Sequence, residues 1–239
     1  MLKKSLFCSA VLLRKNRTHG PGRSIAINRN YPLNNRNKNK QESTMSRQHF
    51  EKITCPKCQK DSKFVMYDSV NVSLDPEDKE KIIDGSLFLF KCPECGAEVH
   101  VEYGVLYHDM DKQLMIQTCS DPESAANAPA INEPMKKFAN LMADYKFRTV
   151  VGLRRLSEKV RIFDAELDDF AVEIFKAWIW RSIDGEKELF FDNIEDGKLE
   201  FVVCFDDGRC HGFHVPYEDY EKCKKLAAKA ISATYRLSR

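Results

Sequence analysis

The pattern of hydrophobic and polar residues predicts two strands joined by a short helix in the first half of the chain. Apolar and polar residues alternate over 63–72, as in a half-buried strand, and 86–91 is a short apolar run. Between them, Asp75-Pro76 is typical of a helix start and Gly85 of a helix end. The predicted order is therefore a strand, a crossing helix and a returning strand.

The pattern continues into a further hairpin and then changes character. Apolar and polar residues alternate over 97–117, with a predicted turn near 109–112. Residues 119–134 are mostly small and polar and include prolines, as in a linker. An amphipathic helix is predicted from Pro134 onward. Helical spacing of apolar residues predicts another helix, marked by Leu153, Leu156, Val160, Phe163 and Leu167.

The segment Phe170–Trp180 has apolar residues at nine of eleven positions. A helix that is apolar on all sides is either central to a core or covered by a partner, so we expect core burial or, alternatively, a homodimer interface. Because Glu173 and Lys176 interrupt the run, it does not approach the ~18 apolar residues that a membrane-spanning helix needs. We therefore expect no membrane association.

Three alternating segments near the C-terminus predict an antiparallel meander. They cover 189–194, 198–205 and 209–215, with Asp-Gly turns between them, and a last helix begins at Pro216. The predicted fold class is α+β. An N-terminal β domain with an inserted short helix (50–118) precedes a linker and an α+β domain with a C-terminal helix (135–239).

Charge separates the first 45 residues from the rest of the chain. They hold ten basic residues and one acid, whereas the remainder carries 28 basic and 35 acidic residues, a net charge of −7. Residues 1–45 lack sustained periodicity, so we expect a disordered basic tail or an over-extended start with Met45 as the initiator; a transit peptide is the minor alternative. An acidic body repels phosphate, which favours protein partners over nucleic acid.

Four of the nine cysteines form two Cys-Pro-x-Cys motifs. Cys55 and Cys58 flank Pro56-Lys57, and Cys92 and Cys95 flank Pro93-Glu94. Two residues between cysteines let a tight turn aim both sulfurs at one point, and two such turns supply the four thiolates of a tetrahedral zinc site. The β domain 50–118 is therefore predicted to be zinc-ribbon-like. Iron also accepts four thiolates. The odd cysteine count and the need for free thiolates indicate a reducing, cytoplasmic compartment.

The two motifs differ at the residue that closes each turn. Gly96 supplies a left-handed conformation after the second motif, whereas Gln59 occupies the matching position in the first. A thiol–disulfide enzyme is the alternative interpretation of such motifs, and a nucleic-acid-binding zinc ribbon is another. The residues after Cys58 alternate like a strand, while a redox cysteine is usually followed by a helix.

Together these features resemble the CpXC domain of bacterial proteins. The resemblance covers about 53–117 and rests on both Cys-Pro-x-Cys motifs, the Asp75-Pro76 helix start and Gly85. A looser similarity continues beyond the linker. The resemblance implies zinc bound by Cys55, Cys58, Cys92 and Cys95, and it implies no activity, since the role of the family is uncharacterised.

A second cluster of metal-ligating residue types occurs in the predicted meander. Its members are Cys204, Cys210, His211 and His214. A two-residue turn would pair Cys204 with His211, whereas a three-residue turn would pair Cys204 with Cys210. Neither register brings all four residues to one face of the sheet. They are a weaker candidate metal site, and no motif typical of catalysis is found in the chain. We therefore expect a binding protein and not an enzyme.

Overall fold

The computed structural model describes residues 24–26, 46–127, 144–185 and 187–237. The chain divides into two compact units. Among the described residues, the first unit comprises those within 22–157, and the second comprises those within 158–239. Helices and strands alternate in both units, so the mixed α+β class is confirmed. No helix in the described ranges is long and apolar enough to cross a membrane.

The first unit is built on two sheets. Its elements are β1 (Ser24–Ala26), β2 (Arg47–Thr54), β3 (Asp61–Asn71), α1 (Glu77–Asp84), β4 (Leu89–Lys91), β5 (Glu98–Glu102), β6 (Leu106–Asp109), β7 (Leu114–Cys119), α2 (Pro122–Asn127) and β8 (Lys146–Val151). A five-stranded sheet has the order β2-β3-β6-β7-β8, and a three-stranded sheet has the order β1-β5-β4. The helix α3 (Leu153–Asp164) begins in this unit and ends in the second.

Parallel and antiparallel pairs alternate in the larger sheet. β2 and β3 form an antiparallel hairpin, as do β6 and β7, whereas β3–β6 and β7–β8 pair in parallel. A parallel pair needs a crossover, and the segment with α1, β4 and β5 provides it between β3 and β6. The fully buried residues Val70, Tyr107 and Ile116 come from the three central strands.

The short helix forms where the sequence predicts it. α1 ends at Gly85, whose φ of 83° is left-handed, as a C-terminal glycine requires. Asp75 does not cap the helix, because its carboxylate accepts the hydroxyl of Ser46. The returning strand is shorter than predicted, since Ser86–Phe88 is a 3-10 turn and only Leu89–Lys91 is extended.

The division between units lies later than the predicted linker. β8 pairs in parallel with β7 and therefore belongs to the first sheet, although the sequence analysis assigned 146–151 to the domain 135–239. The predicted linker 119–134 contains the short helix α2. The amphipathic helix predicted from Pro134 lies outside the described residues.

Part of the predicted N-terminal tail is a strand. β1 pairs in parallel with β5, aligning Ser24 with His100 and Ala26 with Glu102. The edge of β5 offers backbone donors and acceptors to any extended segment, so three residues can pair there without a hydrophobic periodicity that sequence analysis would detect. The rest of 1–45 lies outside the described residues.

The second unit is a three-stranded meander packed against helices. Its remaining elements are α4 (Asp169–Arg181), β9 (Lys187–Glu195), β10 (Lys198–Phe205), β11 (Cys210–Pro216) and α5 (Tyr217–Leu237). The order β11-β10-β9 is antiparallel throughout, as the Asp-Gly turns predict. Alternate residues Leu199, Phe201 and Val203 of β10 form the core with Phe175 of α4 and Tyr220 of α5.

Only one face of α4 is buried. Ala171, Val172 and Phe175 are in the core, while Phe170 is 61% exposed and Trp180 is 48% exposed. Full burial of this helix, the first expectation from its composition, is therefore wrong. One sheet and the neighbouring helices cover one side of a helix, and the opposite side keeps its aromatic residues at the surface.

Candidate metal centre

Each Cys-Pro-x-Cys motif lies at the tip of a β-hairpin. The motif with Cys55 and Cys58 joins β2 to β3, and the motif with Cys92 and Cys95 joins β4 to β5. β2 was not predicted from the sequence, so the first motif was not expected to join two paired strands. Two hairpin tips, each carrying two cysteines, are the arrangement of a zinc ribbon.

The two tips share the same backbone hydrogen bonds. The N–H of Cys55 donates to the carbonyl of Lys60 at 2.9 Å, and the N–H of Cys92 donates to the carbonyl of Ala97 at 2.8 Å. In the opposite direction, the N–H groups of Gln59 and Gly96 donate to the carbonyls of Cys55 and Cys92, both at 2.9 Å. The turns are therefore copies of one structure, despite the different residue that closes each.

Left-handed backbone conformations close both turns. Gly96 has φ of 68°, and Gln59 has φ of 59°. Glycine adopts this conformation without strain, whereas a residue with a Cβ pays about 1–2 kcal/mol. The Gln59 side chain donates from Nε2 to the carbonyl of Pro56 at 3.2 Å, which offsets part of that cost.

Polar side chains connect the paired strands beside each hairpin tip. Below the first tip, Asp61 accepts hydrogen bonds from Thr54 Oγ1 at 2.7 Å and from Lys52 Nζ at 2.6 Å. These contacts, with that of Lys52 first, lower the pKa of the Asp61 carboxyl. Below the second tip, Lys91 and Glu98 form a cross-strand ion pair at 3.1 Å. The polar pairs support both hairpins where the strands end.

The four sulfur atoms lie close together around one point. The Sγ atoms of Cys55 and Cys95 are 3.7 Å apart, those of Cys58 and Cys92 are 3.6 Å apart, and all four lie within 4.8 Å of one another. A tetrahedron with metal–sulfur bonds of about 2.3 Å has edges of about 3.8 Å. The sulfur positions therefore match a four-coordinate metal site.

The pKa values of the two thiols in the first motif are shifted in opposite directions. The backbone N–H of Cys58 lowers the pKa of Cys55 to about 6 despite burial, and the N–H of Lys57 assists. The N–H of Lys60 acts in the same sense on Cys58, but burial and the neighbouring thiols outweigh it and raise the pKa of Cys58 to about 12. Four thiolates at these distances repel one another unless a cation lies between them.

Burial makes the site closed. Cys55 and Cys92 are 0% and 1% exposed, and Cys58 and Cys95 are half-buried. All four are free thiols, so neither motif contains a disulfide. Both motifs are followed by a strand, which differs from the helix N-terminus at which a reactive redox cysteine usually lies.

Histidines of the first unit lie outside the cluster. His108 donates to or accepts from the Tyr145 hydroxyl at 3.2 Å, and burial lowers its pKa. His100 lies on β5, beside Gly85. Among the described residues, the four cysteines alone form a group of three or more potential ligands.

The structure does not assemble the second metal site. Cys204 and Cys210 are joined by a disulfide, so neither is a thiolate ligand. They face each other in the register of β10 and β11, as the three-residue turn predicts, whereas His211 pairs with Val203 and points to the opposite sheet face. His214 lies three residues beyond His211 along β11. The disulfide itself is the feature that sequence analysis missed.

Comparisons with known proteins agree with this geometry. The family model described as CpXC protein matches residues 53–176, just over half of the chain. No curated protein and no solved structure matches significantly. The matched range contains all four clustered cysteines and extends through α3 into α4. The chain therefore belongs to the CpXC family.

Proposed function

We propose that the four cysteines hold one structural Zn²⁺ and that the protein acts by binding a protein partner. The observation that carries the metal proposal is the tetrahedral spacing of four sulfurs on two equivalent hairpin tips. A closed four-thiolate site keeps no coordination position for substrate or water, so its metal stabilises structure. Iron is the other metal that such a donor set accepts.

Metal analysis of the purified full-length protein tests this proposal. We expect one zinc ion per chain, and a loss of at least about tenfold in metal affinity in Cys92→Ser, because a missing thiolate opens the tetrahedron. Cys223→Ser is the matched control, since Cys223 is a buried free thiol of the second unit. Equal zinc affinity in both variants, or no metal in the wild type, contradicts the proposal.

Two surfaces support binding of a protein partner. A groove of about 370 Å³ beside β3 and β4 is lined by apolar residues such as Phe64 and Leu87 and by Lys63. This combination suits a segment with an apolar side chain and an acidic group that reaches Lys63. The exposed residues of Phe170–Trp180 supply a second surface, which we assign to contact with a second copy of the chain.

Each surface has its own test. Affinity capture from the native host should recover a partner with the wild type and lose it with Lys63→Glu, whereas Lys198→Glu, an exposed charge reversal in the second unit, should retain it. Light scattering should give a dimer that Phe170→Ser dissociates. Salt-dependent retardation of DNA would contradict the preference for protein partners.

We place the protein in the cytoplasm, where thiols stay reduced. Six of the described cysteines are free thiols, and four of these must remain thiolates to hold a metal, which supports this location. Fractionation of the native host that finds the protein in an oxidising compartment would contradict it.

A further inference from the structure

A disulfide crosses the hairpin formed by β10 and β11. Cys204 and Cys210 are direct cross-strand partners, with Cα atoms 4.1 Å apart. The next pair toward the turn is hydrogen-bonded, since the N–H of Phe205 donates to the carbonyl of Arg209 at 2.8 Å. Hydrogen-bonded and non-hydrogen-bonded pairs alternate along an antiparallel ladder, so the cysteines occupy a non-hydrogen-bonded position, where side chains approach most closely.

The surrounding sheet fixes this proximity independently of the bond. On the opposite sheet face, Phe201, Val203 and Phe213 are 5% exposed or less and belong to the core of the second unit. β10 also pairs with β9 along its full length. The two sulfurs therefore stay adjacent when the bond is reduced, and neither oxidation nor reduction requires the strands to separate.

The two cysteines differ in access to solvent. Cys204 is 8% exposed on the central strand, whereas Cys210 is half-buried on the edge strand, next to the exposed turn with Asp206 and Asp207. A small thiol or disulfide reaches a sulfur from the exposed side. Exchange should therefore begin at Cys210 and finish at Cys204.

We propose that Cys204 and Cys210 form a reversible thiol–disulfide site that exchanges with low-molecular-mass disulfides and thiols. In the oxidising direction, the Cys210 thiolate attacks glutathione disulfide, forms a mixed disulfide and releases one glutathione thiolate. The Cys204 thiolate then attacks Cys210 Sγ and displaces the second glutathione. Two cysteine thiols are oxidised, one glutathione disulfide is reduced to two glutathione molecules, and the two cysteine protons pass to them.

This site separates redox chemistry from metal binding. The four clustered cysteines of the first unit are free thiols, while the oxidised pair lies in the second unit. A chain that needs thiolates at one place and carries a disulfide at another tolerates both in a reducing compartment when the disulfide is reversible.

Redox titration of the zinc-loaded full-length protein tests the proposal. The protein is equilibrated with mixtures of reduced and oxidised glutathione, quenched with acid, alkylated and mapped by mass spectrometry. The peptide with Cys204 and Cys210 should change from doubly alkylated to unalkylated in one step, while Cys223 and the zinc content stay unchanged. A pair that remains disulfide, or remains dithiol, in every mixture overturns the proposal.

Single substitutions test the order of attack. Cys204→Ser removes the resolving thiol, so it should accumulate one glutathione on Cys210. Cys210→Ser leaves only the buried Cys204, which should react at least about tenfold more slowly. Equal rates for the two variants would contradict the assignment of Cys210 as the attacking residue, and the wild-type titration stands whether or not either variant folds.

Discussion

Gln59 and Gly96 show how closely single residues can be inferred from the sequence. Glycine after the second motif predicted a left-handed turn, and glutamine occupies the equivalent position after the first motif. Both residues have positive φ, and both turns carry the same two hydrogen bonds. Metal-ligand spacing is a local property, so the sequence was sufficient to identify both turns.

Substitution of Gly96 tests the energetic difference between the turns. No atom lies within 4 Å of a Cβ added at Gly96, so Gly96→Ala should introduce backbone strain alone. We expect the free energy of unfolding of the first unit to fall by about 1–2 kcal/mol. Urea denaturation measures this free energy, with unfolding monitored by the release of metal to a chromophoric chelator.

The matched control is Gln59→Ala. Gln59 already holds a Cβ in the same conformation, so this change removes only a surface hydrogen bond to Pro56 and should cost under about 0.5 kcal/mol. Equal losses for Gly96→Ala and Gln59→Ala would show that φ does not distinguish the two turns.

The disulfide marks the limit of residue-level prediction. Cys204 pairs with His211 or with Cys210 according to the length of the turn, and Asp206-Asp207-Gly208 is compatible with both lengths. The structure selects the longer turn through the hydrogen bonds between Phe205 and Arg209 and between Gly208 and Phe205. One residue of register decides which side chains face each other.

At the scale of elements, α4 shows what an apolar composition leaves undetermined. Its N-terminus is predictable, because the Asp168 carboxylate accepts the N–H of Ala171 as an N-cap. Which face is buried depends on the sheet that covers it, and a helix that is apolar on all sides carries no periodic signal of that face. The charged residues within it carry the missing information.

Buried ion pairs join α4 to α3. Lys176 Nζ lies 2.6 Å from Glu158 Oε1, and their side chains are 7% and 2% exposed. Glu158 Oε1 also accepts the backbone N–H of Phe191 at 2.8 Å. Lys159 contacts Asp169 at 3.5 Å and Glu173 at 2.8 Å. The charged residues that interrupt the apolar run of α4 thus fix its rotation against α3.

Removal of one partner of the buried Lys176–Glu158 ion pair should destabilise the second unit. Lys176→Met leaves Glu158 buried without its cation, and we expect the second unit to lose about 3–5 kcal/mol of stability. The only two tryptophans, Trp178 and Trp180, lie in α4, so their fluorescence during urea denaturation reports on this unit.

Glu173→Gln is the control for the ion pairs. Glu173 contacts Lys159 and Lys176, but its side chain is 45% exposed, so its loss should cost under about 1 kcal/mol. Comparable losses in Lys176→Met and Glu173→Gln would contradict a dominant role for the buried pair.

At the scale of the whole molecule, the parallel strand pairs could not be predicted from the sequence. The hairpin of β6 and β7 and the meander of β9, β10 and β11 were predictable from adjacent alternating segments, but the parallel pairs β3–β6 and β7–β8 join segments that are distant in the chain. The same non-local pairing places the end of the first unit after β8 and leaves the predicted boundary at 119–134 inside it. No turn or composition signal encodes such pairings.

The division into two units predicts an uneven response to metal removal. Metal binding in small modules supplies folding free energy of about 10 kcal/mol or more. A chelator should therefore remove the hydrogen-exchange protection of the two hairpins of residues 47–71 and 89–102. Residues 189–203 should keep theirs, because they have a separate buried core.

Hydrogen exchange with mass spectrometry makes this comparison within one sample. Unchanged protection of both hairpins after complete metal removal would contradict a structural role for the metal. Simultaneous loss in both units would contradict their independence.

X-ray absorption at the zinc edge tests most directly whether Cys55, Cys58, Cys92 and Cys95 surround one ion. For the purified full-length protein, we predict a single shell of four sulfur atoms at about 2.3 Å. A shell with nitrogen or oxygen ligands, or purified protein that binds no metal, would contradict the account.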